Sequence, residues 1–293
     1  MLSSLKKAGR VVREALRLAE GLVNEEVSYL EVADKIEQFI IDNGCSPAFP
    51  VNISVNEIAA HYIPDIDDES KFKTGDVVKI DVGAHHDGWV VDAAITIEVN
   101  DNQYKDLIES AKSALDAVRK IIKKGVTLGE IGEVIESKIT SKGYKPIYNL
   151  GGHEIKQYIL HAGMHIPNYN NKSRIQIDKG IYAVEPFATT GNGFVKEAKP
   201  SKCYSIINTK VRNPSLQKFL NELYNKYKTL PFCRRWLIKE FNQKYNVDLY
   251  LSMLKRYNCI KEYSVLVEKS KGMVAQWETT FYINNTVCDL LGD

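Results

Sequence analysis

The sequence predicts an α+β fold, with helices and strands mixed rather than set in the strict alternation of a doubly wound parallel sheet. Three observations carry this. Two amphipathic helical patterns precede the first clear strands, a Val- and Ile-rich stretch at 76–99 alternates and folds back on itself, and a helical stretch at 214–258 interrupts segments that otherwise read as strands.

The first helix is predicted from Ser4 to Leu22, with Leu5, Val11, Val12, Ala15, Leu16, Ala19 and Leu22 on one stripe. The second opens on a capping box, Ser28-x-x-Glu31, carries Ile36, Phe39 and Ile40, and stops at Asn43-Gly44. Residues 76–99 read as a β-hairpin whose turn is His85-His86-Asp87-Gly88. Further helices are expected over 103–123, ending at Gly125, and from the capping box Thr127-x-x-Glu130 to near Gly143. Segments 144–165 and 180–188 read as strands, and Tyr263 to Ile283 as a hairpin turning near Lys271-Gly272.

A 44% hydrophobic content over 293 residues supports a large buried core. The net charge of +2 gives no general argument for a nucleic-acid or membrane partner. Five scattered cysteines, never spaced as C-x-x-C, favour a reducing compartment. The N-terminal stripe is periodic rather than continuous, and no run reaches the roughly 18 apolar residues of a membrane span, so a soluble cytoplasmic chain is expected. Neither Gly151-Gly152 nor Gly191-Asn192-Gly193 has the strand-loop-helix setting of a phosphate loop.

Chemistry is suggested by carboxylates placed where strands should be apolar. Asp81 lies in Val77-Val78-Lys79-Ile80-Asp81-Val82-Gly83 and Asp92 in Trp89-Val90-Val91-Asp92-Ala93-Ala94. Cross-strand partners in a hairpin with an even loop have residue numbers of opposite parity, as 81 and 92 do. The two side chains therefore share a face, directly opposite or diagonal. Like charges there repel and are costly to bury unless a cation compensates them. Each aspartate alone could equally cap a backbone group or face solvent. His153, Glu185 and Glu278 are the further candidates, each an ionisable residue in an apolar or glycine setting. Four carboxylates and an imidazole suit a pair of divalent cations.

The segment AFPVNISVNEIAAHY from Ala48 to Tyr62, with Lys79-Ile80-Asp81-Val82-Gly83 and Val91-Asp92-Ala93-Ala94, resembles the methionine aminopeptidases. Gly152-His153, Leu160-His161-Ala162-Gly163, Val184-Glu185-Pro186-Phe187 and Gln276-Trp277-Glu278 follow in that family's order. The resemblance covers nearly the whole chain. It implies the pita-bread fold, a pseudo-two-fold sheet flanked by helices, with two metal ions (Co, Mn, Fe or Zn) between its halves. Asp81 would chelate one ion, His153 and Glu185 the other, and Asp92 and Glu278 would bridge them. It further implies that a bridging hydroxide attacks the scissile carbonyl, with Glu185 shuttling the proton. His161 would act on the carbonyl and His61 on the amine or scissile nitrogen, while Phe49 and Leu160 wall the methionine pocket. The activity implied is removal of the initiator methionine from nascent proteins with a small second residue.

The 93-residue separation of Glu185 and Glu278 exceeds any ordinary loop, as in type-two enzymes, which carry a helical insertion there. Residues 200–270 are assigned to that insertion, and 1–199 with 271–293 to the catalytic domain. A proline-specific peptidase of the same fold would need an additional N-terminal domain, for which there is no room before Asp81. A non-catalytic binding relative would have lost ligands, and all five are present. The expected partners are nascent polypeptide N-termini, and the expected state is monomeric. Residues 199–272 carry a net +11, leaving −9 on the remainder. Arg234-Arg235, Lys255-Arg256 and Lys269-x-Lys271 could dock on ribosomal RNA, or else the basic face is solvated or packs against the acidic remainder.

Overall fold

The computed structural model describes residues 1–292. Helix α1 (Leu2–Leu22) buries the predicted stripe against both strands of the hairpin. Helix α2 (Tyr29–Asp42) begins at Ser28, but the capping box there does not form. The Ser28 side chain makes no cap, its backbone bridges Lys71, and Glu31 pairs with Lys35 at 2.6 Å instead.

The hairpin strands, Val77–His86 and Trp89–Glu98, are joined by Asp87 and Gly88 alone, with φ of +54° and +79°. Positive φ at both central residues marks the turn that matches strand twist. The turn is thus two residues shorter than its polar sequence suggested, because His85 and His86 pair with Val90 and Trp89. Asp81 faces Ala94 and Asp92 faces Gly83, so the two carboxylates lie on the diagonal of one face.

Helices α3 (Lys105–Ile121) and α4 (Leu128–Thr140) build a second layer. Here the predicted capping box forms: Glu130 N–H donates to Thr127 Oγ1 at 3.2 Å, and Thr127 N–H to Glu130 Oε2 at 2.8 Å. One apolar cluster joins α1, α2 and the hairpin, and a second joins α3 and α4 to a five-stranded antiparallel sheet. That sheet runs Val287–Asp289, Thr279–Ile283, Gly180–Val184, Gly151–Ile155, His165–Pro167.

The predicted 263–283 hairpin is not present. Strand Ile260–Glu268 pairs with Val195–Ile206 and Ile58–Ala60, whereas Val274–Gln276 pairs with Phe187–Thr189, and Thr279–Ile283 with Gly180–Val184. The cause is Glu268, a fully buried carboxylate that accepts from the backbone N–H groups of Asn192, Gly193, Ser270 and Gly272. The chain bends around it, and the strands on either side enter different sheets. Burial would raise this acid, but those donors hold it below the usual carboxylate range.

The helical stretch at 214–258 resolves into α5 (Pro214–Tyr227), α6 (Arg234–Phe241) and α7 (Val247–Arg256). Asn213 and Asn246 cap α5 and α7 through their side-chain oxygens. Phe219, Leu220, Leu223, Leu237 and Leu254 form a separate core there. Tyr227 is buried in it, while Tyr224 and Tyr257 are exposed.

Of the basic clusters in this region, Arg234-Arg235 is drawn into ion pairs with the body of the chain, whereas Lys255, Arg256, Lys269 and Lys271 are exposed. Arg235 is 1% exposed and grips Glu37 through two bonds of 2.8 Å, with Asp34 as a further partner. Arg234 pairs with Asp65 at 2.9 Å and Asp248 at 2.6 Å, and Lys255 pairs with Glu262. Asp34, Glu37 and Asp65 belong to the acidic remainder, so in these pairs the charge asymmetry is used within the chain.

Candidate metal centre

The site forms where the hairpin meets the segment 276–280. Asp92 N–H donates to Thr280 Oγ1 at 2.8 Å, and that hydroxyl donates back to the Asp92 carbonyl at 2.7 Å. Thr96 makes the same reciprocal pair with the Gln276 backbone, at 2.7 and 2.8 Å, and Glu278 N–H reaches Ala94 O at 2.9 Å. These bonds fix Glu278 over the face that carries Asp81 and Asp92. Gly83 leaves room beside them: a Cβ there would stand 2.1 Å from the Phe49 ring.

His153 enters from the strand Gly151–Ile155, with Nε2 3.5 Å from Asp92 Oδ2. Ligand atoms of Asp92, His153 and Glu278 all lie within 4.8 Å of one another. Glu185 follows the strand Gly180–Val184, and Gln276 Nε2 donates to Glu185 Oε2 and Glu278 Oε2, each at 3.2 Å. One amide therefore spaces two carboxylates.

Phe49, His61, Asp81, Asp92, His153, Leu160, His161, Glu185 and Glu278 all line a single cavity of about 170 Å³. Sequence reasoning left out other parts of the wall, among them Asn52, Cys203, Pro231 and Tyr263. Asn52 lay inside a recognised motif but carried no signal of its own. Cys203, Pro231 and Tyr263 arrive from the distant region between Glu185 and Glu278, so only tertiary structure reveals them.

Buried and free of any hydrogen bond are Asp81 Oδ1, Asp92 Oδ1, His153 Nδ1 and Glu278 Oε1. Orphaned ionisable atoms at this density are costly without a cation. Burial, reinforced by the Asp92 and Glu185 charges, pushes the Asp81 and Glu278 carboxyls well above their usual range. Burial and Asp92 raise Glu185 to about 8, against the opposing pull of His153. Burial would lower His153, but its bond to Asp92 and the Asp92 and Glu185 charges outweigh this and raise it. The protein alone cannot keep these acids ionised together, and divalent ions would. The donor set therefore fits such ions.

His161 packs against His153, with ring centroids 4.3 Å apart and planes tilted by 56°, and burial, with the His153 charge, lowers it to about 3. It is neutral at physiological pH. His61, also lowered by burial, holds φ of +66° and places Nδ1 3.2 Å from the Ser264 carbonyl. A carbonyl only accepts, so Nδ1 carries the proton and Nε2 is left as the acceptor.

The sequence matches metallopeptidase family M24 over residues 3–213. The chain belongs to that family. Among its curated relatives, the methionine aminopeptidase of Archaeoglobus fulgidus is 42% identical over 283 residues, 96% of this chain and 94% of its own. That of Methanocaldococcus jannaschii is 42% identical over 279 residues, covering 94% and 93%. Among solved structures, methionine aminopeptidase from Thermotoga maritima superposes with a TM-score of 0.71 at 23% identity, covering 100% of this chain and 98% of that one. The prolidase of Pyrococcus furiosus gives 0.59 at 18% identity, covering 100% and 64%. At these identities the structural likeness bears on the fold, which is the pita-bread fold of M24 enzymes. As an M24 metallopeptidase the chain is a metal-dependent hydrolase that binds divalent metal. No helix among the described residues is long and apolar enough to cross a membrane.

Proposed function

We propose that this M24 chain is a two-metal methionine aminopeptidase of the second type, which removes the initiator methionine from polypeptides with a small second residue. The observation that carries the reading is the buried set of four carboxylates and one histidine at the floor of a small, largely apolar cavity. The 42% identity to curated methionine aminopeptidases supports the substrate class.

Asp81 would hold one ion, His153 and Glu185 the other, and Asp92 and Glu278 would be shared. When bound, the pair supplies Lewis acidity and a water-derived nucleophile at neutral pH. Gln276 keeps the Glu185 and Glu278 carboxylates oriented. Glu185 would take the proton of the attacking water and deliver it to the leaving nitrogen. His161, neutral and packed against His153, hydrogen-bonds the scissile carbonyl oxygen as it gains charge. His61, anchored on Ser264, offers Nε2 to the substrate amine or scissile N–H. Phe49 and Leu160 pack on the methionine side chain.

We assign residues 200–270 to the helical insertion of type-two enzymes and 1–199 with 271–293 to the catalytic domain, supported by the separate apolar core around α5–α7. The insertion also reaches the site, since Cys203, Pro231 and Tyr263 line its cavity.

The test is a peptide series with the metal-loaded protein. Met-Ala-Ser should lose its methionine, Met-Leu-Ser should react at least about tenfold more slowly, and N-acetyl-Met-Ala-Ser should be inert. Cleavage of the acetylated peptide, or preference for a non-methionine first residue, would exclude the reading.

A further inference from the structure

We infer that Asn52 is a specificity-determining residue that reads the substrate's free α-amine; the inference rests on the aminopeptidase reading above. Asn52 opens the strand Asn52–Val55 and stands opposite Asp81 in the register. It is 5% exposed and lines the cavity that holds the acidic cluster. Its Nδ2 donates to the Pro50 carbonyl at 2.9 Å, which fixes the orientation of the amide because a carbonyl only accepts. Asn52 Oδ1 is then a buried atom without a partner on a residue that lines the cavity.

The orphaned atoms of Asp81, Asp92, His153 and Glu278 are answered by cations. Asn52 differs from them in being neutral, and its open atom asks for a hydrogen-bond donor. The methionine side chain has none. Two donors of the substrate remain, the α-amine and the scissile N–H. In the aminopeptidase reading the scissile bond lies on the His153 side of the cluster, against which His161 packs. Asn52 is tied by register to Asp81 and flanked by Pro50, so the group it meets is the amine at the closed end of the chain. A neutral carbonyl oxygen suits this task, because it accepts from the amine without adding a fifth negative charge to the site.

The experiment compares two probes on the metal-loaded protein by calorimetry: L-methionine, and 4-(methylthio)butanoic acid, which has the same side chain and carboxylate but no amine. Asn52→Leu removes the acceptor at nearly constant volume. Its methionine affinity should fall about tenfold or more, while affinity for the des-amino probe changes less than about twofold. Asn52→Asp, which keeps an acceptor, should retain the methionine preference. Metal content and melting temperature of Asn52→Leu should match the wild type. Equal losses for both probes would reduce Asn52 to a wall residue, and lost metal would make it a ligand; either overturns the inference while the aminopeptidase reading stands. A wild-type protein that binds the two probes alike would overturn that reading and this inference together.

Discussion

Asp92→Asn should reduce turnover of a methionyl peptide by about a thousandfold or more and remove most bound metal, because a shared anionic ligand becomes neutral. The amide preserves shape. The bonds that staple this strand to Thr280 use the Asp92 backbone, so they survive the change. The variant therefore separates charge from architecture. In the metal-free protein the Asp92 charge opposes ionisation of Asp81, Glu185 and Glu278. Its removal should cancel the stabilisation that metal gives the wild type. Full activity with normal metal content would contradict this account of the cluster.

Glu37→Ala is expected to cost roughly 3–5 kcal/mol of stability, the range for breaking a buried ion pair by removing one partner. Glu37 is 5% exposed and ties α2 to two other segments. It accepts two bonds from Arg235 on α6, one from Trp236 Nε1 at 2.7 Å, and one from Val51 N–H at 3.1 Å. Its loss leaves a buried guanidinium with Asp34 as its remaining carboxylate partner and strands two further donors. Replacing the pair together, as Glu37→Leu with Arg235→Met, should recover most of the loss, since desolvation offsets much of what a buried pair gives. Denaturant unfolding of the metal-free variants measures both effects. A single-variant loss below about 1 kcal/mol would mean that the pair is solvated in solution.

What the sequence reveals follows from how local each signal is. The α1 stripe and the Thr127 box depend on residues within one helix, and both form as read. Parity placed Asp81 and Asp92 on one face, although it could not choose between the direct and diagonal pairing. His85 and His86 look like turn residues by polarity, yet the strand carries them to a two-residue turn. The segment 263–283 was unreadable for a different reason. Its bend is centred on Glu268, whose partners include Asn192 and Gly193, more than seventy residues away.

The site shows the same division. Its nine expected residues were visible because each sits in a short segment that resembles a known family, and all nine line one cavity. Arg234 and Arg235 read as a surface patch because pairing with Asp65 and Glu37 across the fold leaves no local trace. Asn52, Cys203 and Tyr263 reach the cavity only through tertiary packing.

The central claim is that this cavity is a two-ion peptidase site. It is tested most directly by stripping the protein with chelator and adding Mn or Co stepwise while following bound metal and methionine release from Met-Ala-Ser. Activity should be absent in the stripped protein, return with metal, and reach its plateau as two ions per chain are bound, with Asp92→Asn failing to follow. Release of methionine by the fully stripped protein, or a plateau with no metal bound, would contradict the account.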